Sequence, residues 1–188
     1  MKLKATIRRA LPLALCLFIA PAFAEGPLNV GGLPPDAEGV PFRWNPTNFP
    51  LTYWTDMGNL GVKTNTQADQ IVTDAFDVWK NVTTASITFN AAGELGGDVT
   101  AANARDVVNA IEGCAPLPAG GIARDRSIIY DTDGSVTDAL LGPGNSGIVL
   151  GFATPTCLTS TLVENSYNRG YAVMNAATIP PMPSSMRS

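Results

Sequence analysis

Three aspartates close together in this sequence are the side chains best suited to binding a metal ion. Asp131, Asp133 and Asp138 follow a β-branched run, and Gly134 lies between them. Ca²⁺ takes six to eight hard oxygen ligands, and carboxylates two positions apart around a glycine turn can supply several of them. The stretch departs from an EF-hand, because Ile129 stands at the first ligand position and no Glu closes the loop. A solvated Asp-Gly turn after a strand is the alternative interpretation.

Cysteine and histidine limit the remaining chemistry. The chain has three cysteines and no histidine, so neither a Ser-His nor a Cys-His nucleophile pair can form. One cysteine lies in the N-terminal segment, which leaves Cys114 and Cys157. In an oxidising compartment an even pair most often forms one disulfide, and we predict this bond. A zinc site built from two thiolates without histidine is the less favoured alternative.

The first 24 residues have the pattern of a secretory signal peptide. Four basic residues come first, an apolar run follows, and Ala22-Phe23-Ala24 matches a small-x-small cleavage signal. The apolar run is too short to span a bilayer. We therefore expect cleavage after Ala24 and a secreted chain, extracellular or periplasmic, without a membrane anchor.

The charge of the chain changes when this segment is removed. Four of the 12 basic residues and none of the 16 acidic residues lie in it, so the remaining chain has a formal charge of −8. An acidic protein of this kind is repelled by phosphate backbones and by anionic lipid. We expect no nucleic-acid partner and no membrane surface as a partner.

The clearest element that must position these residues is a helix predicted over residues 66–82. Apolar residues recur there three and four positions apart, which is typical of an amphipathic helix. Thr64 and Gln67 have the spacing of a capping box, which marks the helix start. We expect the apolar stripe to be buried together with the ring of Trp79. The stripe consists of Ala68, Ile71, Val72, Ala75, Val78, Trp79 and Val82.

An α/β (α+β) fold is predicted, in which this helix lies across a twisted, mixed β-sheet. A second helix is expected over residues 101–111, ended by Gly113. Its inward face should consist of Ala104, Val107, Val108 and Ile111. Strands are predicted at residues 51–55, 86–90, 127–130, 149–153 and 171–174, with a polar turn at 165–169. Residues 25–41 are expected to be an extended, poorly ordered lead-in, and residues 179–188 a disordered tail.

Four segments, in order, resemble the matrixin-type metzincins, a family of secreted zinc endopeptidases. AFDVWKNVTTASITF is similar to their first helix and following strand, and SIIYDTDGS to their next strand and acidic loop. VLGFATP resembles the edge strand along their active-site cleft, and GYAVMN the strand before their zinc-binding helix. The resemblance implies a peptidase domain over residues 42–178, a bound zinc ion, and a peptide or protein substrate. The substrate would lie antiparallel along Val149, Leu150, Gly151, Phe152 and Ala153.

The zinc chemistry of that family has no ligands in this sequence. Its catalysis needs His-Glu-x-x-His on a helix and a third histidine, and the chain contains no histidine. We assign no catalytic residue and expect a truncated, incomplete peptidase domain that is inactive as it stands. The alternative is a secreted, non-catalytic binding module, for which calcium binding by the aspartates is a further expectation.

Overall fold

The computed structural model describes residues 30–31, 39–84, 86–160 and 165–177. The expected signal peptide and tail lie outside these residues. The helices are α1 (Asn65–Lys80), α2 (Ala104–Glu112) and α3 (Ser135–Leu141), with short 3-10 turns at Pro46–Asn48 and Asn145–Gly147. The strands are β1 (Val30–Gly31), β2 (Val40–Pro41), β3 (Arg43–Trp44), β4 (Leu51–Thr55), β5 (Phe89–Glu94), β6 (Arg126–Asp131), β7 (Gly151–Ser160) and β8 (Asn165–Asn175).

Six of these strands form one mostly parallel sheet, so the predicted α/β class is confirmed. The order is β3-β8-β6-β4-β5, all parallel, and β7 pairs with β8 in the antiparallel direction. Both β3 and β6 pair with β8 along one of its edges, and β7 pairs along the whole of the other edge. Separately, β1 and β2 form a small antiparallel pair within the expected lead-in.

Helix α1 begins as predicted but turns a different face to the sheet. Thr64 accepts a hydrogen bond from the backbone of Gln67, and the reciprocal bond of the capping box is also present. Only Ala68 and Val72 of α1 are buried. The expectation that Trp79 is buried is wrong, because its side chain is 61% exposed. Other members of the predicted stripe that are exposed are Ile71, Ala75, Val78 and Val82.

Aromatic contacts explain this rotation of α1. The ring of Phe76 lies 4.5 Å from that of Tyr53 and 4.4 Å from that of Phe89, measured between centroids. Phe76 follows Ala68 and Val72 at a spacing of four, so these three residues form one line along the helix. This line faces the sheet, and Ile71, Ala75 and Val78 beside it are exposed.

Helix α2 agrees with its prediction except that it begins at Ala104 rather than at residue 101. Ala104, Val107, Val108 and Ile111 are all buried, and Gly113 is the C-cap residue. They pack with Ile129, Val173 and further residues on one face of the sheet. On the other face, Tyr53 and Tyr130 pack against Ala68 and Val72 of α1. We call these the α2 face and the α1 face.

The predicted starts of β5, β7 and β8 need correction, and so does one predicted turn. Strand β5 starts at Phe89 rather than at residue 86, and β7 starts at Gly151 rather than at residue 149 but runs on to Ser160. The predicted polar turn at 165–169 is wrong, because these residues belong to β8. Pairing with β7 extends to Ser160↔Asn165, which gives their backbone groups partners despite the polar side chains. Helix α3 was not predicted.

Candidate functional site

The acidic loop after β6 is organised by one buried aspartate. Asp131 is fully buried, and its Oδ1 accepts backbone N–H bonds from Gly134 (2.9 Å) and Val136 (3.2 Å). Its Oδ2 accepts the N–H of Thr137 at 2.7 Å. Gly134 has a φ of +90°, a left-handed conformation that favours glycine, as the sequence indicated. Asp131 therefore joins the end of β6 to the first turn of α3.

The other two aspartates lie at the surface of the same region. Asp133 Oδ1 accepts the N–H of Ser135 at 3.0 Å, and Asp138 Oδ1 accepts the N–H of Ser146 at 2.7 Å. The hydrogen bonds to Ser135 lower the pKa of Asp133, and the backbone bond from Ser146 lowers that of Asp138. Within the described residues, no group of three or more His, Cys, Asp or Glu side chains could hold a metal ion. Calcium binding by this loop stays a prediction.

Zinc does not fit the donors that the chain offers. Histidine is absent from the sequence, and Cys114 and Cys157 are joined in the predicted disulfide, with their Cα atoms 5.4 Å apart. Oxidised cysteines are not thiolate ligands. We derive no reaction step that passes through a zinc ion.

Asp56 is a buried carboxylate that the sequence prediction missed. It follows β4 directly and is 0% exposed. Its Oδ1 accepts the N–H of Val99 at 3.0 Å, and its Oδ2 accepts the N–H of Tyr130 at 3.1 Å. Desolvation by burial raises its pKa to about 6, against the opposing effect of these hydrogen bonds. The sequence did offer a signal for Asp56, namely its position directly after a predicted strand. Polar groups at the carboxyl ends of parallel strands converge.

A third buried polar residue, Asn175, ends β8 and fixes the start of β7. Its Nδ2 donates to the carbonyls of Ser146 (2.8 Å) and Val149 (2.7 Å). Its backbone N–H donates to the carbonyl of Leu150 at 2.9 Å. Val149 and Leu150, which the prediction placed inside the edge strand, therefore lie just before β7 and are held against the end of β8.

The outer edge of β7 is a run of main-chain groups that these contacts position. Antiparallel strands direct the N–H and C=O of alternate residues to the partner strand, and Leu150 is bonded to β8. Phe152 therefore also faces β8, whereas Gly151, Ala153 and Pro155 direct their main-chain groups away from it. Among the described residues, no strand pairs with this outer edge. A proline is tolerated here because its missing N–H would point outward.

The fold and this edge define an α/β protein with a free, antiparallel edge strand. No family model, no curated protein and no solved structure matches the chain. In the described residues, no helix is both long and apolar enough to cross a membrane.

Proposed function

We propose that the chain binds an extended polypeptide along the free edge of β7. It would do so as the substrate-binding part of a secreted, metzincin-like zinc endopeptidase domain. The observation that carries this proposal is the outer edge of β7, where Gly151 and Ala153 each offer an N–H and a C=O. A peptide added as a further strand is held by such main-chain bonds, and alternate side chains then give specificity.

The order of the strands supports the link to the matrixin resemblance. The resemblance gives VLGFATP as an edge strand, and among the described strands β7 lies at an edge of the sheet, where it pairs with β8, for example Ala153 with Ala172. It also places the first helix on the sheet before the second strand, as α1 precedes β5. The acidic loop follows β6, where SIIYDTDGS would place it.

Residues 25–188 are proposed to bind such a peptide without cleaving it. Hydrolysis by a zinc peptidase requires a metal that polarises the carbonyl and ionises a water molecule. The histidines that would hold this metal are missing from the sequence. Under this proposal, a non-catalytic binding module and an incomplete peptidase would bind the peptide with the same surface. The two alternatives differ only in the origin of the chain.

A variant that removes one outward N–H tests peptide binding. Ala153→Pro deletes that donor without touching the bonds between β7 and β8, and Ala153→Val keeps the donor as a matched control. The probe is the peptide Ac-Lys-Val-Thr-Val-Thr-Val-Lys-NH₂, whose cations suit the acidic chain, followed by fluorescence anisotropy of a labelled form. We expect binding to be about tenfold weaker for Ala153→Pro, which corresponds to one hydrogen bond.

Equal binding by the proline and valine variants would contradict the proposal. Mass spectrometry of the peptide after incubation with the protein and ZnCl₂ should show no cleavage. A chelator-sensitive cleavage product would disprove the inactive assignment while leaving the binding edge in place.

A further inference from the structure

A groove on the α1 face of the sheet has no role in the function proposed above. Its volume is about 320 Å³, and its lining is mostly apolar. Small residues, Gly170, Ala172 and Ala153, form its floor towards β7. Aromatic side chains from β3, β4, α1 and β5 line the remainder: Trp44, Tyr53, Phe76 and Phe89.

One cation lies in this groove. Arg126 is the only charged residue among the described residues that line it. Its Nη1 donates to the carbonyl of Thr52 at 3.3 Å, and its guanidinium lies 5.7 Å from the centroid of the Trp44 ring. Its Nε is buried and has no hydrogen-bond partner among the described residues. Burial lowers the pKa of Arg126, against the opposing effect of the Asp125 carboxylate.

The neighbouring carboxylate, Asp125, is shared with a second cation. Asp125 precedes Arg126, and its Oδ1 is bound by Arg169 Nε at 2.8 Å. One acidic and two basic side chains therefore meet at this end of β6 and β8. An incoming anion in the groove would pair with the guanidinium of Arg126 through a charge-assisted hydrogen bond.

The dimensions of the groove indicate a thin occupant. Its lining comes from β5, β4, β6, β8 and β7, so it crosses four strand spacings of about 4.8 Å, or about 19 Å. An α-helix about 10 Å across and about 19 Å long would occupy about 1,500 Å³, well above the volume of the groove. The groove fits a single unbranched chain rather than a helix.

We propose that this groove binds a fatty acid, with the hydrocarbon chain along the apolar floor and the carboxylate on Arg126. Burial of the chain drives binding, since each methylene removed from water contributes about 0.8 kcal/mol. Arg126 selects the acid over uncharged molecules of the same length. The groove and the outer edge of β7 share Ala153, but the peptide would use its outward main-chain groups and the fatty acid would lie on the face of the sheet, so the two kinds of binding can fail separately.

Calorimetry with sodium dodecanoate, kept below its micelle concentration, tests the site. We expect the chain to bind dodecanoate at least tenfold more tightly than dodecan-1-ol, which has the same chain without the charge. Arg126→Gln should reduce the affinity for dodecanoate about tenfold and leave that for the alcohol unchanged. Arg126→Lys keeps the charge and should retain most of the preference for the acid.

The position of the chain is tested with a substitution that fills the floor. Ala172→Trp should abolish binding of both the acid and the alcohol, whereas Val78→Trp on the exposed side of α1 should change neither. Equal affinities of the unaltered protein for dodecanoate and dodecan-1-ol would overturn the proposal, whether or not the Arg126 variants fold. Binding that persists in a folded Ala172→Trp variant would also overturn it.

Discussion

The two faces of the sheet differ in how much each helix buries. Helix α2 has nine residues and buries four of them, whereas α1 has sixteen and buries two. Both helices are amphipathic in sequence, so the amphipathic pattern does not explain the difference. The difference in burial arises because α2 and α3 pack together on the α2 face, whereas α1 shares the α1 face with an open groove.

Hydrogen bonds and the disulfide link the elements that pack on the α2 face. The disulfide joins the loop after α2 to β7, and Arg105 Nη2 donates to the carbonyl of Ala139 at 2.6 Å, near the end of α3. Tyr171 in β8 donates its hydroxyl to Glu112 at 2.9 Å. On the α1 face, the Tyr130 hydroxyl donates to Asp69 at 2.8 Å, and Asn65 Nδ2 at the start of α1 donates to the carbonyls of Asp56 (2.6 Å) and Gly58 (3.0 Å), but the described residues include no disulfide there. The α2 face should therefore be the more stable half.

Removal of the disulfide should have the largest effect on this difference. The bond closes a loop with a sequence separation of 43, which corresponds to about 4 kcal/mol of chain entropy. We expect the double variant Cys114→Ala/Cys157→Ala to lose about 4 kcal/mol in the free energy of unfolding, measured by urea denaturation. Hydrogen exchange should accelerate more in α2 than in α1.

The unaltered protein treated with a reductant is the matched control and should lose a similar amount. A loss below about 1 kcal/mol would show that the disulfide adds little to the closure of the α2 face.

Asp56 connects the two faces, and its protonation should make stability depend on pH. Its pKa is about 6 in the folded chain and 3.8 in the unfolded chain, so the folded state holds the proton more tightly. Its contribution is therefore fully present below pH 3.8 and is lost as the pH rises to about 6. The difference in pKa corresponds to about 3 kcal/mol.

The substitution Asp56→Asn should remove this part of the pH dependence, because an amide does not titrate in this range. The measurement is the free energy of unfolding of both proteins at pH 4 and pH 7. An unchanged difference between the two pH values in the variant would assign the dependence to other groups.

A pair of valine substitutions compares the two helices directly. Val107 in α2 is 2% exposed and Val78 in α1 is 69% exposed. Val107→Ala should cost about 2 kcal/mol, because two buried methyl groups are lost and a cavity remains. Val78→Ala should change stability by less than about 0.5 kcal/mol. Similar losses for the two variants would mean that the outer side of α1 is covered in solution.

The smallest effect is expected for Trp79→Ala. A buried tryptophan would cost about 3–5 kcal/mol, but this ring lies largely in solvent. We expect a change below about 1 kcal/mol and an unchanged helical signal in circular dichroism. A larger loss would indicate that Trp79 is buried in the core, as its sequence spacing predicted.

Local sequence signals predicted the helices and strands well, but they predicted less well which residues these elements contact. The capping box at Thr64, the inward face of α2 and the strand at residues 51–55 depend on neighbouring residues alone. The rotation of α1 depends on Phe76 meeting Tyr53 and Phe89, which belong to two different strands. No periodicity within the helix contains that information.

The candidate site shows the same division. The disulfide was predictable because only two cysteines remain after the expected signal peptide. The edge position of β7 was expected through the resemblance, but the outward direction of Ala153 follows from its register with β8. Asp56 was missed because its burial is produced by Val99 and Tyr130, which are 43 and 74 positions away along the chain.

The central position of β8 has a consequence for the order of folding. This strand pairs with β3, β6 and β7, yet it is the last of the described strands to be synthesised. Its pairing with β3 joins Arg43 to Ser166, contacts that lie about 120 residues apart along the chain and therefore cost loop-closure entropy. Sheets dominated by such distant pairings fold slowly. The edges of β6 and β3 that pair with β8 therefore stay unpaired until that strand has been synthesised, and such exposed edges favour aggregation.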